Sequence, residues 1–113
     1  MMDNIFHIAE KKIWDIAQTK GYYFPISLEN EGFIHCSKKS QVLRVANKYY
    51  YDKQKLVLLE INLIKIEPEV KWEPGADAPD ELFPHIYGKL NITAVEKVED
   101  FRQNENGIFV LQI

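Results

Sequence analysis

The chain has 113 residues, 46% of them apolar and 27% charged, which suits one globular domain over residues 1–113 and excludes a disordered tract. Fourteen basic against seventeen acidic residues give a net charge of −3 with no Lys/Arg stripe, so no duplex nucleic acid partner is expected. Cys36 is the single cysteine, which excludes an internal disulfide and fits a reducing cytoplasm.

The N-terminal stretch MMDNIFHIAEKK lacks a charged start leading into an apolar core, so no signal peptide is expected. Ile5–Ala9 is a short apolar run with one histidine and reads as a first strand. Lys11–Lys20 carries Ile13, Ile16 and Ala17 at helical spacing, with Gly21 as the stop. Tyr22–Asn30 reads as irregular, broken by Pro25, and leads through a turn at Glu31–Gly32 into a Phe33–Ser37 strand. Ser40 is a credible N-cap for a second helix reaching about Tyr50, in which Val42, Val45, Ala46 and Tyr49 share one face.

Leu56–Ile61 is continuous and branched, as a central strand buried on both sides would be. The apolar run it opens, LVLLEINLIKI, is too short to span a bilayer, and no membrane partner is expected. Val70–Glu73 reads as a short strand and PGADAPDE as a loop. His85–Leu90, Ala94–Arg102 and Gly107–Ile113 complete the chain, the last two as strands joined across QNENG. Two N-terminal helices followed mainly by strands define an α+β domain.

The chemistry concentrates around three histidines. Alternation puts Ile5, His7 and Ala9 on one face of the first strand, and His7 alone reads most simply as a half-buried histidine bonded to a carbonyl. In EGFIHCS, the residues Phe33, His35 and Ser37 face one way, while Ile34 and Cys36 face the other. Cys36 is therefore expected to pack as a small apolar residue, leaving His35 and Ser37 as the pair able to meet a ligand. His85 and Tyr87 share a face of LFPHIYG, and Trp72 with Glu73 stands at a loop edge where the two line a pocket or close the core. Glu60, inside the strongest strand, needs a partner or a solvent-facing side, which an edge position would satisfy. The histidines are 28 and 50 residues apart with no paired-ligand motif, so no metal site is expected; Walker, Rossmann, G-x-S-x-G and H-E-x-x-H patterns are absent too.

Taken in order, HIA, EGFIHCS, VANKYY, LVLLEIN, VKWEPG and ELFPHIYGKL resemble the family known as domain of unknown function 952, from about Ile5 to Val98. The resemblance implies an ADP-ribosyltransferase-like fold, a split and mostly antiparallel β-structure around a cleft that holds NAD in relatives. It aligns His7 with the first-strand histidine of that superfamily and His35 with a second polar position, as in RNA 2′-phosphotransferases. The glutamate of many transferases has no evident counterpart here.

These readings together give a site. His7, His35 and His85 are its catalytic candidates, and Ser37, Tyr22, Trp72, Glu73 and Tyr87 its nucleotide-binding candidates, with Trp72 or Tyr22 as a stacking face. The expected partner is a nucleotide or other phosphorylated metabolite, with NAD as a possible substrate and no further cofactor assigned. A non-catalytic metabolite-binding module is the alternative, and a zinc domain a more distant one.

Overall fold

The computed structural model describes residues 3–53 and 55–111. Among the described residues, three small antiparallel sheets and three α-helices make up the α+β fold. β1 (Ile5–Glu10) and β8 (Val95–Phe101) flank β4 (Leu56–Ile61), so the run of branched apolar residues does occupy the centre of a sheet. A second sheet pairs β3 (Ile34–His35) with β6 (Leu82–Tyr87) and β6 with β5 (Glu69–Pro74). A third joins β2 (Tyr22–Tyr23) to β7 (Leu90–Asn91). The first two sheets meet where Phe6 and Ser37 exchange backbone bonds of 2.8 Å in each direction.

Alternation along β1 divides the core. Ile5 and Ala9 enter one cluster, with Leu59 and Ile61 of β4, Trp14 and Ala17 of α1 (Lys11–Lys20), and Ile34, Cys36 and Ile86. Phe6 and Ile8 enter the other, with Leu56, Leu58 and Phe101, under Val42 and Ala46 of α3 (Lys39–Tyr49). The central sheet is thus covered on both faces, which is why β4 carries almost no polar residue. Its one carboxylate, Glu60, lies in this central strand rather than at an edge and accepts a 2.8 Å bond from Asn4 Nδ2.

Several boundaries differ from the sequence expectation. The segment read as irregular contains β2 and a third helix, α2 (Ile26–Glu31). Pro25 does not break structure there; its fixed φ of −76° suits the N-cap of α2, and Gly32 at φ +88° stops that helix where a Cβ would be strained. Lys38, not Ser40, caps α3, and the Gln41 side chain accepts from the Lys38 backbone N–H at 2.9 Å. Only Ile34 and His35 of the Phe33–Ser37 run pair in a ladder, because Ser37 turns to bond β1 instead. The expected His85–Leu90 segment is divided between β6 and β7. Gly107–Ile113 adds no strand among the described residues, only a Gln103–Phe109 bridge across the expected turn; Gln112 and Ile113 lie outside them. Among the described residues no helix is long and apolar enough to cross a membrane.

Candidate functional site

The site begins with strand register. β3 pairs with β6 at His35–His85, and β6 pairs with β5 at Lys71–His85. Paired residues project to the same side of a sheet, so His35, His85 and Lys71 form one row across three strands. Two residues along, Phe83 stands opposite Glu73; in the other direction, Tyr87 stands opposite Glu69. The reverse side of the same strands carries Ile34, Ile86 and Val70 into the core.

On the polar face the aromatic rings pack on one another. Phe33 stacks on His85 at 4.2 Å between centroids and lies 4.6 Å from His35, and the two imidazoles meet edge to face at 5.4 Å. Each imidazole is held by a carboxylate. The His35 Nε2–H donates to Glu31 Oε2 at 3.0 Å, a contact in which both side chains are about half exposed. The nearly buried His85 donates its Nδ1–H to Glu73 Oε1 at 2.8 Å, and the same oxygen accepts the Tyr87 hydroxyl at 2.5 Å. These donors, Tyr87 first and His85 second, hold the Glu73 carboxyl below the usual carboxylate range, while the hydrogen bond to Glu73 pushes the Tyr87 phenol up. Lys71 Nζ sits over the Tyr87 ring, 4.7 Å from its centroid.

With Nδ1 committed to Glu73, the reactive lone pair of a neutral His85 lies on Nε2. Among the described residues no protein group bonds this nitrogen, and no buried side-chain nitrogen or oxygen lacks a partner, so Nε2 is open to the cleft that His85 lines. Ser37 Oγ is open on the same grounds. The cleft has a volume of about 920 Å³, within the range of small-molecule sites. One wall is Phe33, His35, Ser37, Phe83 and His85; the other is α3 with Arg44 and Lys48, and the 74–81 loop covers one side. Gly75 in that loop permits its close packing, since a Cβ there would stand 2.5 Å from Phe83 Cε1.

His7 lies behind this wall, not in it. Its Nδ1 is 2.6 Å from the His35 carbonyl, which only accepts, so Nδ1 carries the proton and Nε2 accepts from the Tyr23 hydroxyl at 2.7 Å. Both nitrogens are spent on protein partners, and burial lowers the His7 pKa to about 4. The carbonyl-bonded histidine of the simpler reading is what β1 contains, and its ring ties β1 to the strand that carries His35.

Of the expected site residues, His35, His85 and Ser37 come together on the cleft wall, with Glu73 and Tyr87 holding His85 from the side on the same face of the sheet. Trp72 does not join them: it pairs with Pro84 and projects to the opposite side from Glu73, as alternation requires. Tyr22 is also elsewhere, on the β2–β7 ribbon beneath Lys89. Neither lines the cleft. Glu31, Phe33 and the α3 cations were not singled out from sequence. The four-residue interval between Glu31 and His35 spans a helix end and a turn, so it carries no periodic signal. Cys36 is buried, and that burial pushes its thiol pKa up, which removes it as a nucleophile. Among the described residues no group of three His, Cys, Asp or Glu side chains is placed to hold a metal ion.

Fold and site together define a small α+β protein in which a three-stranded antiparallel sheet presents paired histidines to a cleft. The chain belongs to the family described as protein of unknown function (DUF952), whose model matches residues 8–98. It is similar in structure to protein CC0527 from Caulobacter crescentus: the crystal structure is 28% identical, covers 95% of this chain and 93% of that one, and superposes with a TM-score of 0.81. The solution NMR structure of CC0527 is 29% identical, with a TM-score of 0.77 and coverage of 95% and 91%. Comparison with curated proteins gives no match.

Proposed function

We propose that the cleft binds an NAD- or ADP-ribose-type nucleotide and acts on it by ADP-ribosyl or phosphoryl transfer, on an ADP-ribosyltransferase-like fold in the cytoplasm. The observation that carries this reading is the Glu73–His85 pair, whose open Nε2 faces a cleft of nucleotide size. A carboxylate on Nδ1 fixes the imidazole tautomer and leaves the opposite nitrogen as the proton acceptor, as a general base requires. His35, 5.4 Å away and half exposed, supplies a second proton-carrying group, and Ser37 Oγ a hydrogen bond for a ribose or phosphate oxygen. His7 serves this reading only by fixing the His35 backbone.

An amide and imidazole NMR titration with NAD, followed by an assay of nicotinamide release, tests the proposal. Saturable shifts at His35 and His85 together with released nicotinamide are expected. The absence of any shift at millimolar NAD refutes the nucleotide reading. A second reading, a binding module without turnover, has its own support. The carboxylates at the cleft are all engaged, Glu31 with His35, Glu73 with His85 and Tyr87, Glu81 with Arg44, and Asp77 more loosely with Lys48, so none is unpaired and ready to stabilise a ribosyl cation. Under that reading NAD binds and stays intact.

A further inference from the structure

The cleft wall opposite the histidines is cationic. Arg44 and Lys48 stand one turn apart on α3, and Lys53 follows beyond its end; all three line the cleft. Two of them are met by carboxylates of the 74–81 loop, which lines the same cavity. Arg44 Nη2 contacts both Glu81 oxygens at 2.7 Å, and Lys48 Nζ lies 3.4 Å from Asp77.

These pairs are incomplete in a telling way. A guanidinium matched to a carboxylate presents two parallel donors, one from each of two nitrogens. Here a single nitrogen serves both oxygens, and among the described residues Arg44 Nε and Nη1 have no protein partner. Lys48 and Asp77 are each about half exposed and too far apart for a good hydrogen bond. Exposed ion pairs of this kind contribute little to stability, so an incoming anion displaces them at small cost. The loop itself is otherwise held by Gln41 Nε2, which donates to the Leu82 carbonyl at 3.1 Å, and by the Gly75 to Glu81 backbone bond.

We infer that Arg44 and Lys48, with Lys53, form a phosphate subsite of the cleft in which Glu81 and Asp77 act as placeholder anions. A phosphate or pyrophosphate group offers tetrahedral oxygens to the unused guanidinium donors and to the ammonium, and it displaces the two carboxylates as it binds. The subsite rests on the nucleotide reading of the cleft and assigns the pyrophosphate end of the ligand to α3, leaving the sugar toward His35 and His85. The two acidic side chains then oppose binding, so neutralising them strengthens it.

The test is a titration of the full chain with inorganic pyrophosphate at constant ionic strength, followed by amide shifts. Saturable shifts over 44–48 and 75–81 are expected in the wild type. Glu81→Gln keeps an oxygen for Gln41 Nε2, which also donates to Glu81 Oε1 at 3.3 Å, and Asp77→Asn changes only an exposed group; each should tighten pyrophosphate about three- to fivefold, the scale of an exposed ion pair. Arg44→Gln should weaken it about tenfold, the loss of one charge-assisted contact. The inference is overturned if wild type shows no saturable shift, or if both acidic-to-amide variants bind no more tightly than wild type. The two proposals fail separately: NAD binding at the histidines without pyrophosphate binding removes the subsite alone, whereas pyrophosphate binding on α3 without NAD binding removes the nucleotide reading.

Discussion

Replacing His7 with glutamine tests whether a buried imidazole sets the acid sensitivity of this fold. In the folded chain burial lowers its pKa from 6.5 to about 4, because the charged ring would be cut off from water, an effect that the bond to the His35 carbonyl only partly offsets. The unfolded chain therefore binds the proton first as pH falls, and stability rises with pH across the window from about 4 to 6.5. The full drop corresponds to roughly 3 kcal/mol at about 1.4 kcal/mol per pH unit, of which about 2 kcal/mol is lost by pH 5. Urea unfolding of wild type and His7→Gln at about pH 7.5 and about pH 5 separates this contribution from every other titrating group, which the two proteins share. The variant should be less stable at the higher pH, since a poorer fit replaces two hydrogen bonds. Its further loss on acidification should be smaller than that of wild type by about 2 kcal/mol. Equal acid losses in the two proteins would refute the assignment of a neutral, buried His7.

Tyr23→Phe removes the donor to His7 Nε2 and leaves a buried acceptor unpaired; urea unfolding should show a loss of about 1–3 kcal/mol. Gly75→Ala forces its new Cβ against the Phe83 ring, 2.5 Å from Cε1, and should cost about 1–3 kcal/mol in the same assay while shifting the resonances of the cleft loop. Cys36 should resist iodoacetamide in the native protein and react at the ordinary thiol rate in denaturant; rapid native alkylation would contradict its burial. Long-range nitrogen NMR should find His85 predominantly in the Nδ1–H tautomer, with a mixture appearing in Glu73→Gln.

Much of this arrangement is written in local pattern. Two-residue alternation separated His35 and Ser37 from Ile34 and Cys36, and the branched run Leu56–Ile61 identified the central strand. The helical spacing of Val42, Val45, Ala46 and Tyr49 marked α3, although only Val42 and Ala46 are fully buried. Pro25 was ambiguous because the same fixed φ that ends one element begins another, and a six-residue helix leaves little periodicity to detect. Trp72 was grouped with Glu73 by nearness in sequence, whereas in a strand adjacent residues belong to opposite faces. The part played by His7 depends on Tyr23, sixteen residues away, and the cationic wall on a helix meeting a loop 37 residues further on. No local rule reports such meetings; they arise when the sheets close.

The row His35–His85–Lys71 has a consequence for how length can vary in this chain. Its three members come from three strands, and each has a core neighbour beside it in the chain: Ile34 and Cys36 beside His35, Ile86 beside His85, and the partly buried Val70 beside Lys71. Deleting one residue early in β5 would exchange the two sides of that strand, turning Lys71 and Glu73 away from the histidine row and Val70 and Trp72 toward it. Insertions in the 75–81 loop or the 104–107 turn shift no register and fall on exposed backbone. Length is therefore free to drift in the 75–81 loop beside the cleft and in the 104–107 turn away from it, and is fixed along the strands that hold the histidines.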